Sequence, residues 1–334
     1  MNYLSERILL LPARKNLMAA VLLRSMLPLA GIALWLNFWP VWAHAQARME
    51  SVKVAEDVYT MVNSEGSSNS TFVVTEEGVL VFDTHIATAD QTLAAIRKLT
   101  DKKVVYLLSS HSAGDHATGG WHFREDKPVY IATKNQVRDL YLYGAKEFAE
   151  RKASNDPRYA AHIGKELILP TVGFDGSLTI YLGGLTFQVT AEGYGHSSGD
   201  LTVYVPQRRV MLMGDLLNTE IHPGQGEMAG VYFSQVQSWI EVLDRIMQRN
   251  LPVDTYVPGH GPVHLGRGVE DLKEQKNYFV VMRGEVAKMI QAGKSLEQIQ
   301  EEFEVPQGFS PYQSPDRLKN FLRLFYNQLI EKGL

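Results

Sequence analysis

Two hydrophobic periods alternate along the chain, and their order predicts the architecture. Asp57 to Val62, Ser70 to Thr75 and Val79 to Thr84 are rich in β-branched and aromatic residues and read as strands, with Glu77-Gly78 as a hairpin turn. Ala89 to Leu99 has helical spacing, and Lys103 to Ser109 returns to a buried strand. Val129 to Ala132 is another strand, leading into a helix-rich stretch from Asn135 to about Lys165. Leu178 to Leu182 and Leu185 to Thr190 flank Gly183-Gly184, which signals a tight turn. Strands over Leu201 to Val205 and Arg209 to Met213 follow, then a helix around Ser234 to Gln248 and a short strand ending at Val257.

From Val269 onward the spacing is helical, with Leu272, Phe279, Val286 and Ile290 along one face. Ser295 with Gln298 reads as a capping box. Ser314-Pro315 marks a helix start, carrying Leu318, Phe321, Leu322, Phe325 and Leu329 towards a core. Strands alternating with helices predict an α/β layered domain over residues 46–265, with a helical C-terminal extension over 266–334 packed on it.

Residues 1–45 carry a different pattern. Arg7, Arg14, Lys15 and Arg24 precede an apolar run from Met26 to Trp42, and Ala43-His44-Ala45 stands before Gln46. A basic start, an apolar middle and an A-x-A end describe a secretory leader, so a periplasmic or secreted protein is expected. The alternative is an uncleaved membrane anchor, since the run is long for a leader; Pro28, Asn37 and Pro40 interrupt it. Arg24 splits the apolar stretch, so Met18 is a second candidate start. Cleavage would remove those four basic residues and Glu6 from totals of 33 basic and 37 acidic, leaving 29 against 36, or −7. That mildly acidic balance without a basic run argues against nucleic acid as a partner, and no membrane contact is expected after cleavage. The chain has no cysteine, so disulfides, thiolate ligands and cysteine nucleophiles are excluded. Any metal must be held by nitrogen and oxygen.

A subset of the ten histidines falls where chemistry gathers. His111, Asp115 and His116 lie just past the strand ending at Ser109, and His196 lies past the one ending at Thr190. Asp215 closes the strand from Val210, and His260 follows Tyr256-Val257-Pro258-Gly259. The ends of strands in layered α/β domains share one edge, where ligands bind. Four separate segments delivering imidazole and carboxylate to that edge make a donor set for zinc, iron or manganese.

These residues also carry a resemblance. The segment Ser110-His111-Ser112-Ala113-Gly114-Asp115-His116 resembles the H-x-H-x-D-H signature of the metallo-β-lactamase superfamily, with Ala113 in place of its second histidine. Gly195-His196-Ser197-Ser198-Gly199-Asp200, Gly214-Asp215 and Pro258-Gly259-His260-Gly261 are similar to its later motifs, and the likeness runs from about Val52 to Gly261. It implies a four-layer αββα sandwich with metals at one edge. One site would take His111 and His196, the other Asp115, His116 and His260, with Asp215 bridging them. Alanine cannot ligate, so the first site would bind more weakly or keep an extra water. Ala113 is either an engineered loss or a feature of the lineage.

The resemblance implies a hydrolase that uses metal-activated water to cleave an ester, thioester, lactone or amide of a small molecule, a β-lactam among them. One or two zinc ions would serve it, with iron or manganese as alternatives, and Asp115 would orient the water as the catalytic residue. The bridging Asp215 is more like that of thioesterases, lactonases and sulfatase-like members than of the β-lactamases that use Cys or Ser near that position. Two alternatives stand beside it: a mono-iron sulfur dioxygenase-like oxidoreductase, and a non-catalytic metal-binding homologue, favoured only by Ala113.

Tyr194 and His85 are candidate substrate contacts. Asp83 either orients a ligand or caps the next segment, and His122 packs near the first motif. His162, His222 and His264 read as surface or loop residues. Gly195 to Gly199 spells a G-x-S-x-G elbow around Ser197, but the metal motif explains the same residues.

Overall fold

A computed structural model describes residues 48–63, 67–225, 227–228, 231–232 and 234–333, and the predicted leader lies outside them. One sheet runs in chain order through β1 (Met49–Ala55), β2 (Val58–Asn63), β3 (Ser70–Val74), β4 (Val79–Phe82), β5 (Val104–Leu108), β6 (Val129–Thr133) and β7 (Val172–Phe174). Its first four strands form an antiparallel meander, and β4 to β7 are parallel. The following strands are β8 (Ser177–Leu182), β9 (Leu185–Gly193), β10 (Asp200–Val205), β11 (Val210–Asn218), the short β12 (Glu227–Met228) and β13 (Val231–Tyr232), and β14 (Thr255–His260). The second large sheet has the order β14-β11-β10-β9-β8, and β12 pairs with β13 alone. The helices are α1 (Ala89–Leu99), α2 (Gly114–Ala117), α3 (Lys134–Asp139), α4 (Ala145–Ala153), α5 (Val236–Gln248), α6 (Glu270–Gln291), α7 (Leu296–Glu302) and α8 (Pro315–Glu331).

Period-two alternation builds the layers. Leu80, Phe82 and Leu108 from the first sheet meet Leu201, Val203, Val205, Val210, Leu212 and Val257 from the second in the central core. The intervening residues point the other way. Val79, Val81, Val104 and Leu107 pack with Ala89 and Ile96 of α1, while Tyr204, Met211, Met213 and Tyr256 pack with α5, α6 and α8. Strands buried on both faces read as continuous apolar runs, as β4 and β11 do. The result is the predicted αββα sandwich with its helical C-terminal part. Trp239, Phe279, Phe321 and Phe325 are fully buried in the outer layer, which fastens α8 to the second sheet.

Local details differ from the prediction. The edge strand β1 was hidden because its MESVKVA pattern is polar and only one of its residues is buried, and three-residue β7 is too short to show a period. The helix-rich stretch breaks into α3, a π-helical turn (Leu140–Gly144), α4 and a 3-10 turn (Pro157–His162). Arg209 takes a left-handed φ of 52°, so β11 starts at Val210 and continues to Asn218. Strand β14 runs on through His260 rather than ending at Val257. The turn at Gly183-Gly184 has φ of 48° and 81°, as a two-residue hairpin loop with two positive φ angles requires. The capping box at Ser295 is formed. Ser314, by contrast, has φ of 68° and makes no side-chain cap.

Candidate metal centre

The loop after β5 delivers His111, and α2, which follows directly, delivers Asp115 and His116. His196 comes from the loop between β9 and β10, Asp215 from within β11, and His260 from the last residue of β14. All six predicted donors meet. His111, His196 and Asp215 form one group whose candidate ligand atoms lie within 4.8 Å of one another, and Asp115, His116 and His260 form another. Asp215 also touches the second group: Oδ1 is 3.1 Å from His116 Nε2 and Oδ2 is 3.3 Å from His260 Nε2. His196 Nε2 lies 3.5 Å from the same Oδ2.

Close backbone approach makes this convergence geometrically accessible. A Cβ on Gly259 would lie 2.1 Å from Asp215 Oδ1, and one on Gly214 would lie 2.1 Å from Ser110 Cβ. Gly214 also has φ of 53°, which turns Asp215 inwards at little steric cost. Asn69 anchors the β14 end: its amide donates to the Pro258 and Gly261 carbonyls at 3.1 and 2.9 Å, and its N–H donates to the Gly259 carbonyl at 2.7 Å. Gln136 clamps the two motif loops together by donating to the carbonyls of Ser110 (2.9 Å) and Gly199 (2.7 Å).

A buried carboxylate orients two of the imidazoles. Asp83 Oδ2 is 2.9 Å from His116 Nδ1 and accepts from Ser110 Oγ at 2.8 Å, while its Oδ1 accepts from the Ser110 N–H at 2.6 Å. Ser110 Oγ lies 2.9 Å from His111 Nδ1. With the Ser110 hydroxyl proton on Asp83, its oxygen accepts from His111 Nδ1–H. Both Nε2 lone pairs then face the centre, the arrangement that orients metal-ligating histidines. Of the two expectations for Asp83, the structure shows the hydrogen bonding, to the candidate ligand His116 and to Ser110.

Electrostatics fit a cation. Burial opposes charge on Asp215, yet His260, His116 and His196 outweigh it and hold the carboxyl well below the usual range. Burial likewise opposes charge on Asp115, and His116 and His260 overcome it. Burial pushes His111 well down and His196 to about 4, so both are neutral donors. Burial also acts against charging His116, but Asp215, Asp115 and Asp83 raise it well above the ordinary value. Among the described residues, His111 Nε2 and Asp215 Oδ1 are buried without a hydrogen bond, the latter within 3.1 Å of His116 Nε2. Such atoms are costly unless something binds them. Orphaned nitrogen and oxygen in an all-N/O set fit a divalent metal.

The donors line a cavity of about 220 Å³ that also takes in Ala113, Arg317 and Asn320. Ala113 is the residue before α2 and lines the same cavity as His111. Tyr194 and His85 do not line this cavity. Tyr194 is 47% exposed, and its carbonyl accepts from Ser238 Oγ. His85 caps α1 with its carbonyl, which accepts from the N–H groups of Thr88 and Ala89. Ser197 Oγ is buried and donates to Asp200 Oδ1 at 2.6 Å, which suits a structural role. His162 and His222 are corrections: both are buried, His162 against Phe148 and Tyr159, and His222 against Tyr278 and Tyr312. Arg317 was missed by the sequence reading. It comes from α8 and stands 3.2 Å from His260 Nδ1.

The sequence profile of the Metallo-beta-lactamase superfamily matches residues 63–260. The chain is 27% identical over 261 residues to a "Metallo-beta-lactamase type 2" of Bacteroides fragilis, covering 72% of this chain and 93% of that protein. It is 23% identical over 271 residues to a "Linear primary-alkylsulfatase" of a Pseudomonas strain, covering 71% of this chain and 50% of that one, so it spans about half the alkylsulfatase. Among solved structures, a stereoselective inverting sec-alkylsulfatase from Pseudomonas sp. superposes with a TM-score of 0.61 at 15% identity, over 84% of this chain and 50% of that one. A metallo-beta-lactamase from Pontibacter korlensis gives 0.52 at 20% identity, over 69% and 99%. These structures share the fold. With a profile match that takes in all six of the converging histidines and aspartates, the chain belongs to the metallo-beta-lactamase superfamily.

Proposed function

We propose that this chain is a metal-dependent hydrolase of a small ester, thioester, lactone or amide, with sulfate esters and β-lactams brought into range by its relatives. The observation that carries the reading is the convergence of six buried or half-buried His and Asp donors, among which His111 Nε2 and Asp215 Oδ1 have no hydrogen-bond partner. Asp115, His116 and His260 would hold one ion, and His111, His196 and Asp215 a second, zinc in both cases. When bound, a divalent metal lowers the pKa of water from about 15.7 to about 7 and polarises an adjacent oxygen.

The residues supply the rest. Asp115 is held ionised by His116 and His260, and its side chain is partly open to the cavity. Its carboxylate therefore accepts a hydrogen bond from water and orients a lone pair towards the substrate. Asp83 and Ser110 keep the protons of His116 and His111 on Nδ1. The predicted leader supports export of the enzyme. Elemental analysis of purified protein, with turnover of an ester, thioester, lactone, sulfate ester and β-lactam panel, tests the reading. Metal-dependent turnover lost in Asp115→Ala and His116→Ala supports it, and turnover that survives those changes refutes it.

One observation favours the second reading, an iron-dependent oxidoreductase. Each donor group is a two-His, one-carboxylate set, the arrangement of non-haem iron oxygenases. Iron in the purified protein with oxygen uptake on thiol substrates would establish that reading in place of the first.

A further inference from the structure

The part of the cavity wall beside His260 has its own chemistry. Helix α8 starts at Pro315 and brings Arg317 to the cavity in its first turn, with Asn320 one turn later on the same wall. Arg317 Nη2 lies 3.2 Å from His260 Nδ1 and 3.5 Å from its Nε2, so the guanidinium sits against the edge of the donor cluster. The placement is fixed from both sides. Gln313 N–H donates to the Glu220 carbonyl and the Gln313 carbonyl accepts from His222 N–H, both at 3.0 Å. This parallel bridge ties the start of α8 to the segment that runs into cavity residues Gly224 and Gln225. Phe321 and Phe325, buried beneath, lock the helix rotation that aims Arg317.

The cavity lining therefore combines imidazoles and carboxylates with a permanent cation and an amide. A guanidinium fork matches the oxygens of sulfate, phosphate or carboxylate bidentately, and a side-chain amide adds a neutral donor. We infer that Arg317 is a specificity-determining residue, which with Asn320 binds an oxyanion carried by the substrate beside the bond to be cleaved. The inference rests on the hydrolase reading and deepens it: the substrate is anionic, as a sulfate monoester or a carboxylate-bearing lactam would be.

The test uses full-length, metal-loaded protein and the variants Arg317→Met and Arg317→Lys. Inorganic sulfate binding, measured by titration calorimetry, is expected to weaken 10- to 100-fold in Arg317→Met and to recover in part in Arg317→Lys, as loss of a charge-assisted hydrogen bond implies. The kcat/KM preference for an anionic over an uncharged substrate should fall by the same factor, chiefly through KM. 4-Nitrophenyl sulfate and a carboxylate-bearing lactam, each set against 4-nitrophenyl acetate, separate the two oxyanion sources. Sulfate binding and preference that match wild type in Arg317→Met overturn the inference. So does loss of bound metal from both variants by elemental analysis, which would make Arg317 a support for His260. A wild-type protein that turns over nothing in the panel refutes the hydrolase reading, while the sulfate titration still decides Arg317 as an oxyanion-binding residue.

Discussion

Gly259→Ala gives the sharpest test of how the backbone shapes the centre. The new Cβ would stand 2.1 Å from Asp215 Oδ1, 2.6 Å from the Gly214 carbonyl carbon and 2.7 Å from Asp215 N. Contact distances for carbon are about 3.5 Å, so the overlap with the carboxylate exceeds about 1 Å. Two of the three atoms are backbone of the parallel neighbour β11, and no rotamer change moves them. Strand β14 cannot back away, because Asn69 holds it through three hydrogen bonds. Overpacking of this kind costs about 1–3 kcal/mol, and a rigid neighbour places it at the upper end, about 3 kcal/mol. A ligand constellation tolerates displacements of about 0.5 Å, so Asp215 should be lost as a donor. Urea unfolding and elemental analysis measure the two effects. Gly284→Ala, within α6 and with nothing inside 4 Å of its Cβ, is the control; it should gain up to about 1 kcal/mol from helix propensity. A Gly259→Ala protein within about 0.5 kcal/mol of wild type, with full metal content, would refute the packing argument.

Three further outcomes follow from the same geometry. Asp83→Asn should weaken metal binding about 10- to 100-fold, because the amide is a poorer acceptor for His116 Nδ1–H and Ser110; chelator competition reads it, and an unchanged affinity counts against the orienting role. Ala113→His should raise metal content at the first site and the rate with it, whereas equal content would mark Ala113 as part of a working design. His222 is pushed by burial from 6.5 to about 4, so it stays neutral when folded while the unfolded chain takes up a proton. Its contribution is present above pH 6.5 and lost as pH falls towards 4, about 2 kcal/mol between pH 7 and pH 5. Urea unfolding of wild type and His222→Gln at both pH values should show that much less pH dependence in the variant; parallel profiles would rule the account out.

The sequence is most legible where a side chain follows an apolar strand, usually with glycine nearby. Each such motif reports its own place at the sheet edge, so the convergence of His111, Asp115, His116, His196, Asp215 and His260 could be expected without coordinates. The reading failed where contacts join distant segments. Arg317 meets His260 across 57 residues, and the amphipathic spacing of α8 reports only the apolar residues that pack. His222 does lie in a loop, but it is buried, because Tyr278 and Tyr312 reach it from α6 and the loop before α8. Asp83 was ambiguous for the opposite reason: both predicted roles use the same carboxylate, and only its distances to His116 and Ser110 separate them.

Those distances also rank the two donor groups. His116 is backed directly by the Asp83 carboxylate, a charge-assisted contact that raises the basicity of Nε2. His111 reaches the same carboxylate only through the Ser110 hydroxyl, and His196 Nδ1 has no hydrogen-bond partner among the described residues. Ala113 then removes a fourth ligand from the less supported group. Both differences act in one direction, so the Asp115, His116 and His260 group would fill first and hold its ion more tightly. Replacing Ala113 with histidine restores a donor but leaves His196 unsupported, and the first site would therefore improve without becoming the tighter of the two.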